Sequence, residues 1–423
     1  VANDFSREEI VLFDQVLEGF NDACIATKMS KVFMTNQQTM ERTGDQIWRP
    51  QPYIMTSYTG NDMSSNFKDV TQLSVPVSIN QQQVVPFQLT ARELRDQQQE
   101  GRLGRSAKDK LASDINVALT NTAALQGSIV IKRTVAATGF DDIALCDSTM
   151  TVLGVPMDSR VYGASPSDYN NMASNLASRV LDNSKSLKAY ERAYIGEVAG
   201  FDTYKLNYGY RLPAKTAVTV AIQDTGDLAY VPVGHTVTAA GISVNTDNRY
   251  MNIAITVGSG TVAVGDAFTI NAVNAVHHIT KQSTGLLKTF RVAAIVSGSG
   301  GSGVVTITPP IIAPNNSFPS TLQYQNVDAA AVDGATLTFL NTVAAYANPF
   351  WYGDAMEIIP GRLMPAEASG MAIMRGTTDD GIELTMTRQG LIDTLNTKYR
   401  FDTIFGTSCL NPELAGIELF SQT

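Results

Sequence analysis

The chain has 423 residues, 44% of them hydrophobic and 17% charged, and its 31 Lys+Arg against 40 Asp+Glu leave a formal net charge of −9. Such a composition can bury real cores and excludes wholesale disorder, and it argues against an extended nucleic-acid-binding surface, which needs clustered basic residues. No run approaches the ~18 consecutive apolar residues of a membrane span, and Val1-Ala2-Asn3-Asp4-Phe5-Ser6 lacks the basic-then-apolar pattern of a secretory signal.

In chain order, Ser6-Arg7-Glu8-Glu9 is a capping box, and Ile10, Phe13, Leu17, Phe20 and Cys24 follow at helical spacing, with Glu8, Asp14, Glu18 and Asp22 on the other face. This predicts an amphipathic arm with one acidic side. Turn signals at Gly44-Asp45, Thr59-Gly60-Asn61-Asp62 and Val75-Pro76 then separate Ile47-Trp48-Arg49-Pro50, Tyr53-Ile54-Met55-Thr56-Ser57-Tyr58 and the alternating Leu73-Ser74-Val75-Pro76-Val77-Ser78-Ile79. These read as a long two-stranded excursion, and a hairpin alone is marginally stable, so it leans on something else. A second capping box at Thr90-Ala91-Arg92-Glu93 opens an apolar stripe through Leu94, Leu103, Ala107, Leu111, Ile115 and Leu119 that stops at Gly127. A helix of that length would span about 50 Å and act as a spine, with Gly101 and Gly104 as possible bends.

Residues 128–212 read as mixed α/β, with a strand at Ser128-Ile129-Val130-Ile131, a helix opened by Ser165-Pro166, a short helix over 187–194 and a strand and turn at 195–202. No glutamate then occurs from Val198 to Met356. Across 216–345 short β-type runs recur, among them Met251-Asn252-Ile253-Ala254-Ile255-Thr256-Val257, Thr289-Phe290-Arg291-Val292 and Thr336-Leu337-Thr338-Phe339, divided by Gly/Asn/Asp/Ser turns. That texture predicts a compact all-β barrel or sandwich inserted in the α/β body. Mixed character returns at Pro349-Phe350-Trp351-Tyr352; Asp380-Gly381 marks a hairpin turn; 389–396 reads as a turn or short helix, and 399–409 as a closing strand.

Motifs that might carry chemistry fail on context. Gly298-Ser299-Gly300-Gly301-Ser302-Gly303 matches a dinucleotide fingerprint in letters, but a strand-like, proline-stopped run follows where a helix should open, so it reads as a hairpin tip. Histidine is limited to His235, His277 and His278; the adjacent pair would point to opposite faces of a strand, which does not suit a shared metal. Asp141-Asp142 and Asp379-Asp380 sit in turn contexts without a recognisable distant partner. Cys24, Cys146 and Cys409 are too scattered for a disulfide framework or a zinc site and read as buried thiols. No catalytic, cofactor-binding or metal-binding residue is assigned, no cofactor is expected, and the chain is not expected to be an enzyme.

Several stretches in shared order carry a resemblance: Ile47-Trp48-Arg49-Pro50 before the hairpin, Leu94-Arg95-Asp96 in the spine, Leu125-Gln126-Gly127-Ser128-Ile129-Val130-Ile131, Val198-Ala199-Gly200-Phe201-Asp202, Asp247-Asn248-Arg249-Tyr250 in the insertion and Asn348-Pro349-Phe350-Trp351 after it. The layout resembles the major capsid (coat) proteins of short-tailed lambdoid bacteriophages over nearly the whole chain, less well over 220–246. The resemblance implies an α+β, HK97-like capsid fold with an inserted all-β barrel. The implied segments are 1–31, an N-terminal arm helix; 32–84, an N-terminal loop and long β-hairpin (E-loop); and 85–127, the spine helix and peripheral domain. They continue as 128–215, the first part of the axial domain; 216–345, the inserted barrel; 346–398, the second axial part; and 399–423, a C-terminal strand returning to the body.

The same resemblance implies self-assembly through pentamers and hexamers into an icosahedral virion shell, made in the bacterial cytoplasm. A scaffolding protein would guide a precursor that expands as double-stranded DNA is packaged, with portal protein and terminase at one vertex. DNA contact would be weak and non-specific, as the net negative charge suits, and no membrane partner is expected. The family suggests Asp14 and Glu18 as receivers of a basic scaffold segment. Trp48, Arg49, Tyr53, Tyr58 and Phe67 are the candidates for contacts between subunits along the hairpin, and the barrel is expected to meet neighbours across two-fold axes. The rival reading is a β-rich phage tail or adhesin protein, which the spine helix does not suit.

Overall fold

A computed structural model describes residues 7–33, 46–52, 55, 57, 61, 64, 67–90, 102–178, 196–224, 226, 228–363, 371–391, 393–394 and 396–423. The Ser6 end of the first capping box, most of the strand expected over 53–58, the residues just after Thr90 that were to open the spine, and the helix expected over 187–194 lie outside them. The chain divides into two compact units, one of residues 1–47, 77–120 and 357–408 and one of 48–76, 121–356 and 409–423.

In the first unit the arm is helical, as its periodicity predicts, but in three pieces: Arg7–Leu17, Phe20–Ala23 and Ile25–Met29. Gly19 at φ +70° and the extended Cys24 make the two breaks. Leu12, Phe13, Val16, Phe20 and Cys24 are buried. Asn116 of the long helix Arg102–Gln126 accepts the Ala26 amide at 2.9 Å and donates to the Ala23 carbonyl at 3.2 Å, which satisfies backbone groups the Cys24 break leaves open. Gly104 does not need a bend to explain it: a Cβ there would stand 3.2 Å from the Leu12 side chain, so the glycine permits close approach of arm and helix. The sheet of this unit runs Lys31–Val32, Met356–Pro360, Asn396–Cys409, Glu383–Leu391, Ala372–Thr377, and Gln81–Thr90 also pairs along Asn396–Cys409. Part of the expected turn at 389–396 is thus strand. At the sheet edge a Cβ on Gly376 would come within 2.5 Å of Leu17 and 2.8 Å of Phe13, so the arm rests where a strand residue has no side chain.

The second unit holds a seven-stranded sheet in the order Ile129–Lys132, Ala415–Leu419, Ala345–Tyr352, Arg160–Ala164, Phe201–Lys205, Glu197–Val198, with Arg211–Leu212 also on Ala345–Tyr352. The chain therefore does not close on the strand ending at Cys409: Ala415–Leu419 goes on to fill the sheet interior, buried along its whole length. Helix Pro166–Ser178 begins as expected, with the Ser165 hydroxyl donating to Asp168 at 2.8 Å and accepting the Asp168 amide at 3.3 Å. Asn348 completes this cap, accepting the Ser165 amide at 2.7 Å and donating to Asp168 at 2.9 Å. Asp141-Asp142 lies in the first turn of helix Phe140–Leu153 and not in a loop: Asp142 is wholly buried, accepts the Thr138 and Gly139 amides at 2.6 and 2.9 Å and pairs with Arg133 at 2.6 Å. Ala199 and Gly200, at φ +48° and +77°, form the turn that brings Phe201 against Tyr162 and Phe350 in the core of this sheet.

The inserted β structure is a closed barrel in the order Val218–Ile222, Met251–Ser259, Gly303–Thr308, Ser283–Ile295, Ala267–Val276, Thr336–Phe339. Alternate residues of Met251–Ser259 point inward, and Ile253, Ile255, Phe268, Phe290 and Ile307 make a sealed core. Gly298–Gly300 is a short 3₁₀ turn at a hairpin tip, as its context predicts. His277 and His278 do not lie in a strand. They follow Ala267–Val276 in a turn, where His277 Nδ1 accepts the Ile279 and Thr280 amides, both at 3.2 Å. Arg291, wholly buried, donates to the carbonyls of Ala124 at 2.6 Å, Gly127 at 3.3 Å and Gly265 at 2.8 Å, which places a cation on the carbonyl end of the long helix and ties the barrel to it.

Candidate functional site

Three surface features stand out from this packed body. The first is the arm. Asp14 and Glu18 lie one helical turn apart on its exposed side, while Leu12, Phe13 and Val16 face inward. Not all of the arm's acid is outside: Glu9 is 2% exposed, accepts the Tyr399 hydroxyl at 2.7 Å and pairs with Arg388, so its charge is compensated where it is buried. The side chains of Glu8 and Asp22 lie outside the described residues.

The second is the loop between Gln46–Pro50 and Ser74–Ser78, which pair as a two-stranded ribbon. Trp48 and Arg49 are half-buried at its base. Phe67 is 86% exposed, with Met55 at 67% and Val70 at 49% along the same loop. Tyr53 and Tyr58 lie outside the described residues. The loop is closed at its base, where the Gln51 amide donates to the Leu73 carbonyl at 2.9 Å and Gln72 Nε2 donates to the Gln51 carbonyl at 2.9 Å.

The third was not read from the sequence. His235–Val237 and Ser243–Asn245 form a two-stranded hairpin off the barrel, every residue of both strands exposed. Val237, Ile242 and Val244 are 66%, 62% and 44% exposed, and Gly241 at φ +77° makes the turn. The alternation His235-Thr236-Val237 and Ser243-Val244-Asn245 around a Gly-containing turn was the signal available. It was weak, because neither face of the hairpin is buried and so no contrast marks the strands.

The buried titratable groups serve packing. Burial pushes Glu413 up, and the Lys288 ammonium at 2.6 Å overrides it, leaving the carboxyl below its ordinary value. Burial beside this pair drives His278 down to about 4 and Lys281 down to about 8. Burial likewise raises the thiols of Cys24 to about 11 and Cys409 to about 12, and lifts Cys146 well above the usual range, so none is activated as a nucleophile. Glu418 is wholly buried, and one oxygen accepts the Tyr162 hydroxyl at 2.7 Å and the Cys146 thiol at 3.5 Å; burial raises it to about 7. Among the described residues no group of three or more His, Cys, Asp or Glu could hold a metal ion, and no helix is long and apolar enough to cross a membrane.

An acidic docked arm and two segments with uncovered apolar side chains suit a protein that works by contact with other chains. A family model described as P22 coat protein, gene protein 5, matches residues 1–421, and the chain belongs to that family. It is a phage capsid protein, a subunit of an icosahedral virion shell. Similar solved structures include a Mycobacterium phage Che8 chain, 9% identical over 92% of this chain and 90% of that one with a TM-score of 0.43. The capsid of Cyanophage P-SCSP1u is 10% identical over 93% and 87%, also at 0.43. The CUS-3 coat protein I-domain is 38% identical, covering 30% of this chain and 98% of that one, at 0.23. The family match carries the assignment and sets aside the tail or adhesin alternative. The α+β body with its inserted closed barrel is the architecture an HK97-like capsid fold with an insertion calls for.

Proposed function

We propose that this chain assembles through pentamers and hexamers, guided by a scaffolding protein in the bacterial cytoplasm, into a precursor shell that then takes up double-stranded DNA through a portal vertex. The observation that carries the reading is Phe67: a large apolar side chain left 86% exposed on a loop whose base is closed by hydrogen bonds. Exposed apolar side chains held on a fixed base favour a partner surface, and in a closed lattice each modest contact recurs in every subunit. Trp48 and Arg49 at the loop base, and Tyr53 and Tyr58 beyond it, belong to the same proposed contact.

Asp14 and Glu18 are proposed to receive a basic segment of the scaffolding protein. Their support is their exposure on a helix whose other side is anchored, which presents two negative charges without spending the arm's packing. Attraction between exposed charges is screened by salt, so this contact would be reversible, as a guide that must leave requires. The net charge of −9 suits a wall that holds packaged DNA only loosely.

The test is co-expression of the Asp14→Lys/Glu18→Lys variant with the scaffolding protein. Loss of scaffold from the assembled particles at low salt is expected, with the folded monomer unchanged. Normal scaffold-filled precursor shells from that variant would refute the assignment of these two residues.

A further inference from the structure

The sequence Asp247-Asn248-Arg249-Tyr250 occupies the place where the exposed hairpin and the Phe67 loop meet the body. Arg249 is 8% exposed. Its Nε and Nη2 fork onto the Asp247 carboxylate at 2.9 and 2.7 Å, and its Nη1 donates to the Cys409 carbonyl at 2.8 Å. The guanidinium also lies 5.2 Å from the centre of the Tyr250 ring. Burial works against the charge, and the Asp247 carboxylate outweighs it, holding the guanidinium above its ordinary value.

Asn248 uses its whole amide. Its Oδ1 accepts the Tyr230 hydroxyl and the Val233 amide, both at 3.0 Å, and its Nδ2 donates to the Val233 and Thr246 carbonyls at 2.9 and 3.0 Å. The two ends of the hairpin are thereby held opposite each other. The loop is fastened to the same place. Ser74 and Asp247 form a parallel β-bridge, and a Cβ on Gly234 would stand 2.8 Å from the Gln72 carbonyl, so the two backbones touch. Just upstream, Thr71 is bracketed by the helix Pro319–Tyr324: its amide donates to Gln323 Oε1 at 3.1 Å, and its carbonyl accepts Gln323 Nε2 at 3.2 Å and the Tyr324 hydroxyl at 2.9 Å. Leu73 is buried with Ile312 and Tyr324.

We propose that the Asp247–Arg249 node joins the hairpin 235–245 and the segment 71–76 into one mechanical body, so that a contact made by the hairpin sets the direction in which the Phe67 loop leaves. Two surfaces far apart in sequence then order together: fixing either one stabilises the other by the same factor, as linkage requires. The consequence for assembly rests on the capsid reading above. The coupling itself belongs to a single chain and is measurable there.

The experiment is hydrogen exchange on the full-length monomer. Gln323→Ala removes two of the three hydrogen bonds that bracket Thr71 and, in the contacts described, touches no atom of the hairpin. Coupling predicts faster exchange not only around Thr71 but also at the amides of 235–245, by at least about fivefold. In Arg249→Met the hairpin amides are already fast, and adding Gln323→Ala changes them no further. Hairpin amides that exchange in Gln323→Ala as they do in the wild type overturn the proposal. Slow exchange at the barrel strand Met251–Ser259 confirms that a variant is folded. If Arg249→Met loses that protection, Arg249→Lys, which keeps the charge and loses the fork, takes its place with the same expected loosening. Electron micrographs score shells separately: coupled exchange without shells counts against the capsid reading alone, and shells built from a chain with uncoupled hairpin amides count against the node alone.

Discussion

The barrel and the Phe67 loop are both β structure in the same chain, and they solve the same problem in opposite ways. The barrel closes, so no strand edge is left to pair, and Phe268, 0% exposed, stacks on Phe290 at 5.9 Å inside it. The loop is a two-stranded ribbon at its base with Met55, Phe67 and Val70 outside. The first region finishes its own burial. The second leaves burial to be finished by another chain, which is what a shell subunit needs from part of its surface.

The largest effect that could break this contrast comes from excision. We expect segment 216–345 alone to unfold cooperatively in urea, and segment 46–78 alone to show no stable structure by circular dichroism, because a lone hairpin is marginal in water. A disordered barrel segment would end the claim that it is self-sufficient. Within the intact chain, Phe268→Ala should cost about 3–5 kcal/mol through the cavity it leaves, read from the urea midpoint; a cost under about 1 kcal/mol would mean the core is not the closed one described.

The packed body also carries a protonation cost, which sharpens the contrast. Glu418 sits folded at about 7, above its ordinary 4.5, chiefly through burial. A group raised in this way contributes stability that is complete below about pH 4.5 and is lost as pH climbs through about 7. Glu418 by itself should therefore lower stability by on the order of 2–3 kcal/mol between pH 5 and pH 8, against the rise that His278, held down at about 4, contributes over the same window. Glu418→Gln, which keeps an acceptor for Tyr162, should remove the Glu418 part of the slope. Equal slopes in wild type and variant would contradict the assignment. The smallest effect is expected at the loop: Phe67→Ser should change monomer stability by no more than about 0.5 kcal/mol while sharply lowering shell yield. A large loss of monomer stability would show that Phe67 is already covered within its own subunit.

The same contrast explains what was legible in the sequence. In the barrel one face is core, so alternation in Met251–Ser259 and Thr336–Phe339 marked the strands. Arg291 followed that alternation as an outward residue and is nonetheless buried, because the outer side of its strand meets the carbonyl end of the long helix, a tertiary fact with no local trace. Glu418 was hidden for the converse reason: Ala415–Leu419 is buried on both faces, so no period set its carboxylate apart. The helix at Phe140 was missed because Gly139 precedes it in place of a Ser or Thr cap, and the capping falls to Asp142. The acidic arm was legible from helical spacing, except that Glu9, read as a capping residue, holds Tyr399 and Arg388. The hairpin 235–245 left little trace because it buries nothing in its own chain.

The central claim is that this chain covers its exposed loop side chains with copies of itself. The direct measurement is high-resolution electron cryomicroscopy of particles purified after co-expression with the scaffolding protein. The account predicts closed icosahedral shells in which density from a neighbouring subunit covers Phe67 and the hairpin 235–245. Closed shells in which both stand bare to solvent, or a sample that stays monomeric under every assembly condition, would contradict it.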